Sequence, residues 1–185
     1  MCVILVCPNN IRPGKAAIAA CHRANPDGAG VAWRENGNVL WMKGLSPCDV
    51  EDLISVLPGE IVIHFRWASV GAVTPKLCHP FPVTARATTR LSGHARTVLF
   101  HNGTWDRWRE SLYTMPHRRM AAGPLSDTRV AASLVDYHGF DMIDRLPGRW
   151  VLFDRDFTEL YGDWHQWDGM RASNLYFEFQ NFNRN

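Results

Sequence analysis

The chain has 185 residues, 46% hydrophobic and 21% charged, with a net charge of +2. That length fits one domain burying roughly two thirds of its unfolded surface, and the near-average composition excludes disorder over the main body. A nearly balanced charge gathers neither nucleic acid nor an anionic membrane, and no apolar stretch approaches the roughly 18 residues that span a bilayer.

The first predicted element is a strand over 2–6 (CVILV), headed by Cys2. Strands over 29–33 and 38–43 flank Glu35-Asn36-Gly37, a hairpin signal because Asn-Gly supplies the positive φ values of a tight turn. Ser46-Pro47 reads as an N-cap and first helical residue. Val50, Leu53, Ile54 and Leu57 then follow at helical spacing until Pro58-Gly59 ends the helix. Segments 60–66 and 97–101 read as buried strands, joined by a loop from about 68 to 95 that is long enough to carry a site. Ser126 caps a second helix over roughly 127–138, and helical turns near 140–146 lead to strands at 149–154, 158–162 and 174–179.

This order predicts an α+β protein with largely antiparallel sheets rather than a doubly wound parallel one. The chain reads as a single domain over 1–185, of which 181–185 is a frayed tail. The densest basic run, His117-Arg118-Arg119, is far short of a phosphate-tracking stripe and reads as a solvated loop. No secretory signal heads the chain, so the cytoplasm is the expected compartment. Neither GxGxxG nor GxxxxGK[ST] occurs, so no nucleotide cofactor is expected, and we expect no cofactor of any kind.

Five cysteines, Cys2, Cys7, Cys21, Cys48 and Cys78, are odd in number and irregular in spacing, with no CxxC pair. Such a pattern predicts reduced thiols rather than a disulfide framework or a structural zinc site. Cys2, Cys7, Cys21 and His22 form the one set with any claim to a metal, and no metal is expected there. Cys2 itself has two readings. A cysteine in a strand is usually a small buried hydrophobe. Behind an initiator methionine it is also a latent nucleophile, because loss of Met1 leaves thiol and α-amine, nucleophile and base, on one residue.

Four polar islands sit at the edges of apolar elements: Asn25-Pro26-Asp27-Gly28-Ala29-Gly30, the segment 64–71 (HFRWASVG), His101-Asn102-Gly103 and Ser126-Asp127-Thr128. Singly, each reads as a turn, a helix cap or a surface charge. In this order behind Met-Cys, together with His79-Pro80, they resemble the class II glutamine amidotransferases, the N-terminal-nucleophile (Ntn) hydrolases that take ammonia from glutamine. The resemblance covers about residues 2 to 155. It implies a four-layer αββα sandwich with two mainly antiparallel sheets.

It also implies roles. Cys2 is the nucleophile, attacking the glutamine side-chain amide to form a γ-glutamyl thioester, while Asn102 and the Gly103 N–H hold the oxyanion. Arg66 suits the substrate α-carboxylate because a guanidinium pairs with it bidentately, and Asp127 suits the α-ammonium. An acid at a helix N-terminus is, however, favoured by the macrodipole alone. Trp67 and Ser69 fall beside the substrate, His64 and His101 read as scaffold, and the other four cysteines as structural. Ser69 stands where Thr is commoner, Val70 at a position often polar, and Val3 where most members have Gly; the Val3 change points to free-standing members rather than large synthases.

The expected substrate is L-glutamine or a larger γ-glutamyl amide, and the expected partner a separate synthase that accepts the ammonia, with no nucleic acid and no membrane. Trp164, Trp167, Tyr176, Phe177 and Phe179 offer either core or a docking face for such a partner. A catalytically silent subunit that senses glutamine or scaffolds a complex is the non-enzymatic alternative.

Overall fold

Two antiparallel sheets face each other, and the two-residue period of their strands decides which side chains meet between them. The structure, a computed structural model, describes residues 1–116 and 122–179; the 117–119 run and the 181–185 tail lie outside the described residues. In chain order the first elements are β1 (Val3–Cys7), α1 (Lys15–Ala24), β2 (Ala29–Glu35), β3 (Asn38–Leu45), α2 (Pro47–Val56) and β4 (Ile61–Phe65). The middle holds β5 (Phe81–Pro82), β6 (Ser92–Ala95), β7 (Thr97–Asn102), α3 (Trp108–Ser111) and α4 (Asp127–His138). Then come β8 (Arg149–Asp154), β9 (Thr158–Tyr161), β10 (His165–Trp167), β11 (Met170–Ala172) and α5 (Tyr176–Phe179).

One sheet has seven strands in the order β10-β11-β1-β4-β2-β3-β6, the other four in the order β5-β7-β8-β9. Ile4 and Val6 of β1 and Val62 of β4 point into the slot between sheets, against Val98 and Phe100 of β7 and Val151 and Phe153 of β8. The alternate residues, Val3, Leu5, Ile61, Ile63 and Phe65, face outward onto Ile18 and Cys21 of α1, Val50 and Ile54 of α2 and Phe177 of α5. On the far side, Leu99, Trp150 and Leu152 pack against Val130, Ala131, Leu134 and Val135 of α4. The result is the expected αββα order of layers. Among the described residues no helix is long and apolar enough to cross a membrane.

Local sequence explains the boundaries. Asn36 and Gly37 both adopt positive φ, 51° and 72°, and close the β2–β3 hairpin. Ser46 Oγ accepts the Asp49 N–H while Asp49 Oδ2 accepts the Ser46 N–H, a capping box that starts α2. Ser126 Oγ accepts the Arg129 N–H and starts α4. The predicted 68–95 loop holds β5, β6 and a 3-10 turn over Pro75–Leu77.

Several features depart from expectation. Helix α1 has no predicted counterpart, because its apolar face is mostly alanine. The segment 174–179, predicted as a strand, is instead the short helix α5: Asn174 Oδ1 accepts the Tyr176 N–H at 3.1 Å, a cap that turns the chain into a helical bend. The edge beside β1 is taken by the β10–β11 hairpin, folded about Asp168 and Gly169.

The quoted motifs touch one another. A Cβ on Gly30 would lie 1.8 Å from the His79 carbonyl oxygen, so β2 accepts the His79-Pro80 segment only because residue 30 lacks a side chain. Lys43 of β3 pins the same segment, donating to the Pro80 carbonyl at 3.3 Å above the Phe81 ring. Gly30→Ala is therefore expected to destabilise by about 3 kcal/mol or more, a fall of roughly 10 °C in Tm by thermal unfolding. A change below roughly 2 °C would show that the segment yields freely.

Candidate active site

The parity of β1 carries Cys2 onto the same inter-sheet face as Ile4 and Val6, and that of β7 carries Asn102 onto the face of Val98 and Phe100. Nucleophile candidate and oxyanion candidate thus come from opposite sheets, at one end of the slot between them. Six of the seven predicted site residues, Cys2, Arg66, Trp67, Ser69, Gly103 and Asp127, line one cleft of about 280 Å³ including its open mouth. Asn102 stands beside it, buried, with Nδ2 donating to Ser173 Oγ at 2.8 Å and Oδ1 without a partner among the described residues.

Cys2 is bracketed by backbone. The Trp67 N–H donates to Sγ and the thiol donates to the Trp67 carbonyl, each at 3.3 Å. Trp67 therefore serves this site through its main chain, and its ring is half exposed. Burial pushes the Cys2 thiol up from its ordinary pKa, against the opposing pull of the Trp67 N–H, the chain's N-terminal charge and Arg66. A thiol so placed stays protonated at neutral pH and needs a base to become a nucleophile.

Arg66, one residue beyond β4, is buried with its guanidinium clamped by the loop that follows: Nη1 donates to the Ala72 carbonyl at 3.0 Å and Nη2 to the Val70 carbonyl at 3.3 Å. Two of its five N–H donors are so used, and the rest remain for an anion. Gly71 allows that curl, since it adopts φ 81° and a Cβ there would meet the Leu125 carbonyl at 2.7 Å. Ser69 accepts a hydrogen bond from Thr104 Oγ1 at 2.9 Å and ties this loop to the segment after β7.

Asp127 begins α4 and is buried in the cleft wall. Its Oδ1 accepts the Thr128 N–H at 2.8 Å, and Oδ2 accepts the Trp105 N–H at 3.1 Å and lies 3.6 Å from His101 Nδ1. Oδ1 also accepts the Thr128 hydroxyl at 3.4 Å, so Oδ2 is the oxygen that keeps a lone pair for a cation. His101 stacks on Trp150 at 3.7 Å, and burial lowers its pKa to about 4 despite the opposing Asp127 carboxylate. His64 and His79, stacked at 4.0 Å, are likewise lowered by burial. All three are neutral at pH 7, so Arg66 and Asp127 supply the cleft's fixed charges: one positive, one negative.

Sequence reasoning missed several neighbours. Asn174 Nδ2 donates to the Cys2 carbonyl at 2.6 Å, and Ser173 Oγ accepts both the Ile4 N–H and Asn102. Asn25 is buried with Oδ1 unpartnered among the described residues, and it lines, with Met1, Trp67, Asn174 and Tyr176, a groove beside Cys2. The available signal was the lone Asn heading the 25–30 island; Ser173-Asn174 carried none. All five cysteines are free, Cys7 and Cys21 within the core, and among the described residues no three of His, Cys, Asp and Glu converge on a metal position. Of the C-terminal aromatics, Phe177 is core, Trp164 and Trp167 are partly buried, and Tyr176 and Phe179 are exposed.

No family model matches the chain. It is 26% identical over 131 residues to a probable glutamine–fructose-6-phosphate aminotransferase (isomerizing) of Schizosaccharomyces pombe, a stretch covering 70% of this chain and 16% of that protein. Its fold is similar to that of the B. subtilis glutamine phosphoribosylpyrophosphate amidotransferase solved with ADP and GMP, with a TM-score of 0.66 at 15% identity, covering 94% of this chain and 42% of the other. The chain thus spans under half the length of either protein. In sequence the chain is similar to a glutamine-dependent aminotransferase, and in its two-sheet sandwich to a class II (N-terminal nucleophile) glutamine amidotransferase.

Proposed function

We propose that the protein hydrolyses the side-chain amide of glutamine through a γ-glutamyl thioester on Cys2. The observation that carries this is the meeting in one cleft of a buried thiol with one clamped cation, Arg66, and one carboxylate, Asp127. A zwitterionic amino acid needs that pair of charges at its α end, held apart from the nucleophile that meets its amide.

With Met1 removed, the α-amine of Cys2 takes the thiol proton, directly or through water, and Sγ attacks the amide carbon. The developing oxyanion takes hydrogen bonds from Asn102 Nδ2 and the Gly103 N–H. Collapse breaks the C–N bond, and the protonated amine returns its proton to the departing ammonia. Water, activated by the same amine, then cleaves the thioester to glutamate. The raised pKa of Cys2 supports the need for that base, and an α-amine with a pKa of about 8 is partly neutral at physiological pH. The ammonia passes to a synthase, as amidotransferase chemistry requires.

Incubation with glutamine is expected to release ammonia and glutamate in equal amounts from protein whose intact mass lacks Met1. The glutamine analogue 6-diazo-5-oxo-norleucine is expected to label Cys2 alone among the five thiols. Labelling spread over several cysteines, or no turnover by processed protein, overturns the reading. The groove lined by Met1, Trp67 and Tyr176 beside Cys2 favours a second reading, a larger γ-glutamyl amide whose leaving group lies there. Amine release from γ-glutamyl conjugates exceeding ammonia release from glutamine would select it.

A further inference from the structure

The proposed nucleophile and the proposed oxyanion donor belong to different sheets, and apolar packing between sheets fixes their separation only loosely. A polar tie crosses that gap. After β11, the Ser173 N–H donates to the Ile4 carbonyl at 3.0 Å, and Ser173 Oγ accepts the Ile4 N–H at 2.9 Å, so residue 173 is locked to β1 just past Cys2. The same oxygen accepts Asn102 Nδ2 at the end of β7, at 2.8 Å. The next side chain reaches the nucleophile: Asn174 Nδ2 donates to the Cys2 carbonyl at 2.6 Å, and its amide cannot reverse because Oδ1 is held by the Tyr176 N–H. Ser173 is fully buried and Asn174 nearly so; they lie 169 and 172 residues from Ile4 and Cys2, and Ser173 lies 71 from Asn102.

We infer that Ser173 and Asn174 are positioning residues for the reaction proposed above: Ser173 orients the Asn102 amide toward the oxyanion, and Asn174 fixes Cys2. With one Nδ2 hydrogen on Ser173, the other is left in a defined direction for substrate. Without the hydroxyl, the Asn102 side chain loses this tether and samples rotamers that aim the donor elsewhere. This inference rests on the glutaminase reading, and its test separates the two.

Ser173→Ala removes one oxygen from a packed site. Its kcat for glutamine is expected to fall about tenfold with KM nearly unchanged, since Arg66 and Asp127 still hold the α end. In an Asn102→Ala background the same substitution is expected to cause no further loss, because it acts through Asn102; a purely structural effect would multiply. Asn174→Ala is expected to slow single-turnover thioester formation by a similar factor, assayed below its own Tm. An active wild type whose Ser173→Ala or Asn174→Ala variants stay within about twofold of it, or a Ser173 loss that multiplies in the double variant, overturns the positioning role alone. A wild type inert toward glutamine overturns the functional reading and this inference with it.

Discussion

Cys2→Ala is expected to abolish glutamine hydrolysis, with kcat falling at least about 10⁴-fold, because Cys2 is the one thiol among the described residues that line the cleft. Cys78 is buried behind Gly28 with its thiol on the Asp27 carbonyl, and Cys7 and Cys21 lie in the core. Glutamine binding should survive the change, since Arg66 and Asp127 are untouched. A tag left ahead of Met1 should silence the wild type equally, and proteolytic exposure of Cys2 as the first residue should restore it. In the proposed mechanism the α-amine base works in its neutral form, so kcat/KM is expected to rise with pH through an α-amine pKa of about 8 and to be lost below it. His101, lowered to about 4, leaves that window clear of its titration. Cys2, raised by burial, adds nothing on the alkaline side until well above it. Steady-state kinetics from about pH 3 to 10 check this; an acid limb near 4 would instead put the essential proton on the cleft wall.

The sequence disclosed elements wherever local chemistry and tertiary packing agreed. The β2–β3 hairpin follows from Asn36-Gly37, α2 from the Ser46 cap and its apolar stripe, and α4 from Ser126. Where contrast was low the reading failed: α1 buries only Ile18, Ala20 and Cys21, and β6 is a half-exposed edge strand. At the C-terminus, aromatic residues 176, 177 and 179 imitate a strand, yet Asn174 starts a helical turn that docks Phe177 against Trp167 at 5.0 Å. Asp168-Gly169 closes the β10–β11 hairpin beside it, an element absent from the predicted ones. The site followed the same rule. Short islands with recognisable order indicated Cys2, Arg66, Asn102 and Asp127. No local pattern tells that Trp67 acts through its backbone, that Val70 and Ala72 carbonyls clamp Arg66, or that the Ser173-Asn174 pair returns to hold both sheets. Those contacts depend on register between distant strands.

Asn102→Asp tests the other half of the reaction without changing side-chain volume. In the proposed reaction the native amide offers a hydrogen to the oxyanion; a carboxylate would offer only lone pairs, and in this buried position it would set a like charge against the one that develops. Loss of one such donor raises the barrier by about 3 to 4 kcal/mol, so kcat is expected to fall by 10²- to 10³-fold. KM should move by less than about threefold, because the lost interaction forms only in the transition state. Ser173 can donate its hydroxyl proton to the new carboxylate in place of accepting from the amide, so the tie between the sheets persists and Tm should fall modestly. Acylation, not thioester hydrolysis alone, must slow, since both steps pass through an oxyanion at the same place; rapid-quench mass analysis is expected to find no accumulated acyl-enzyme. A kcat within about threefold of the wild type would remove Asn102 from the oxyanion site and leave the charge to the Gly103 N–H.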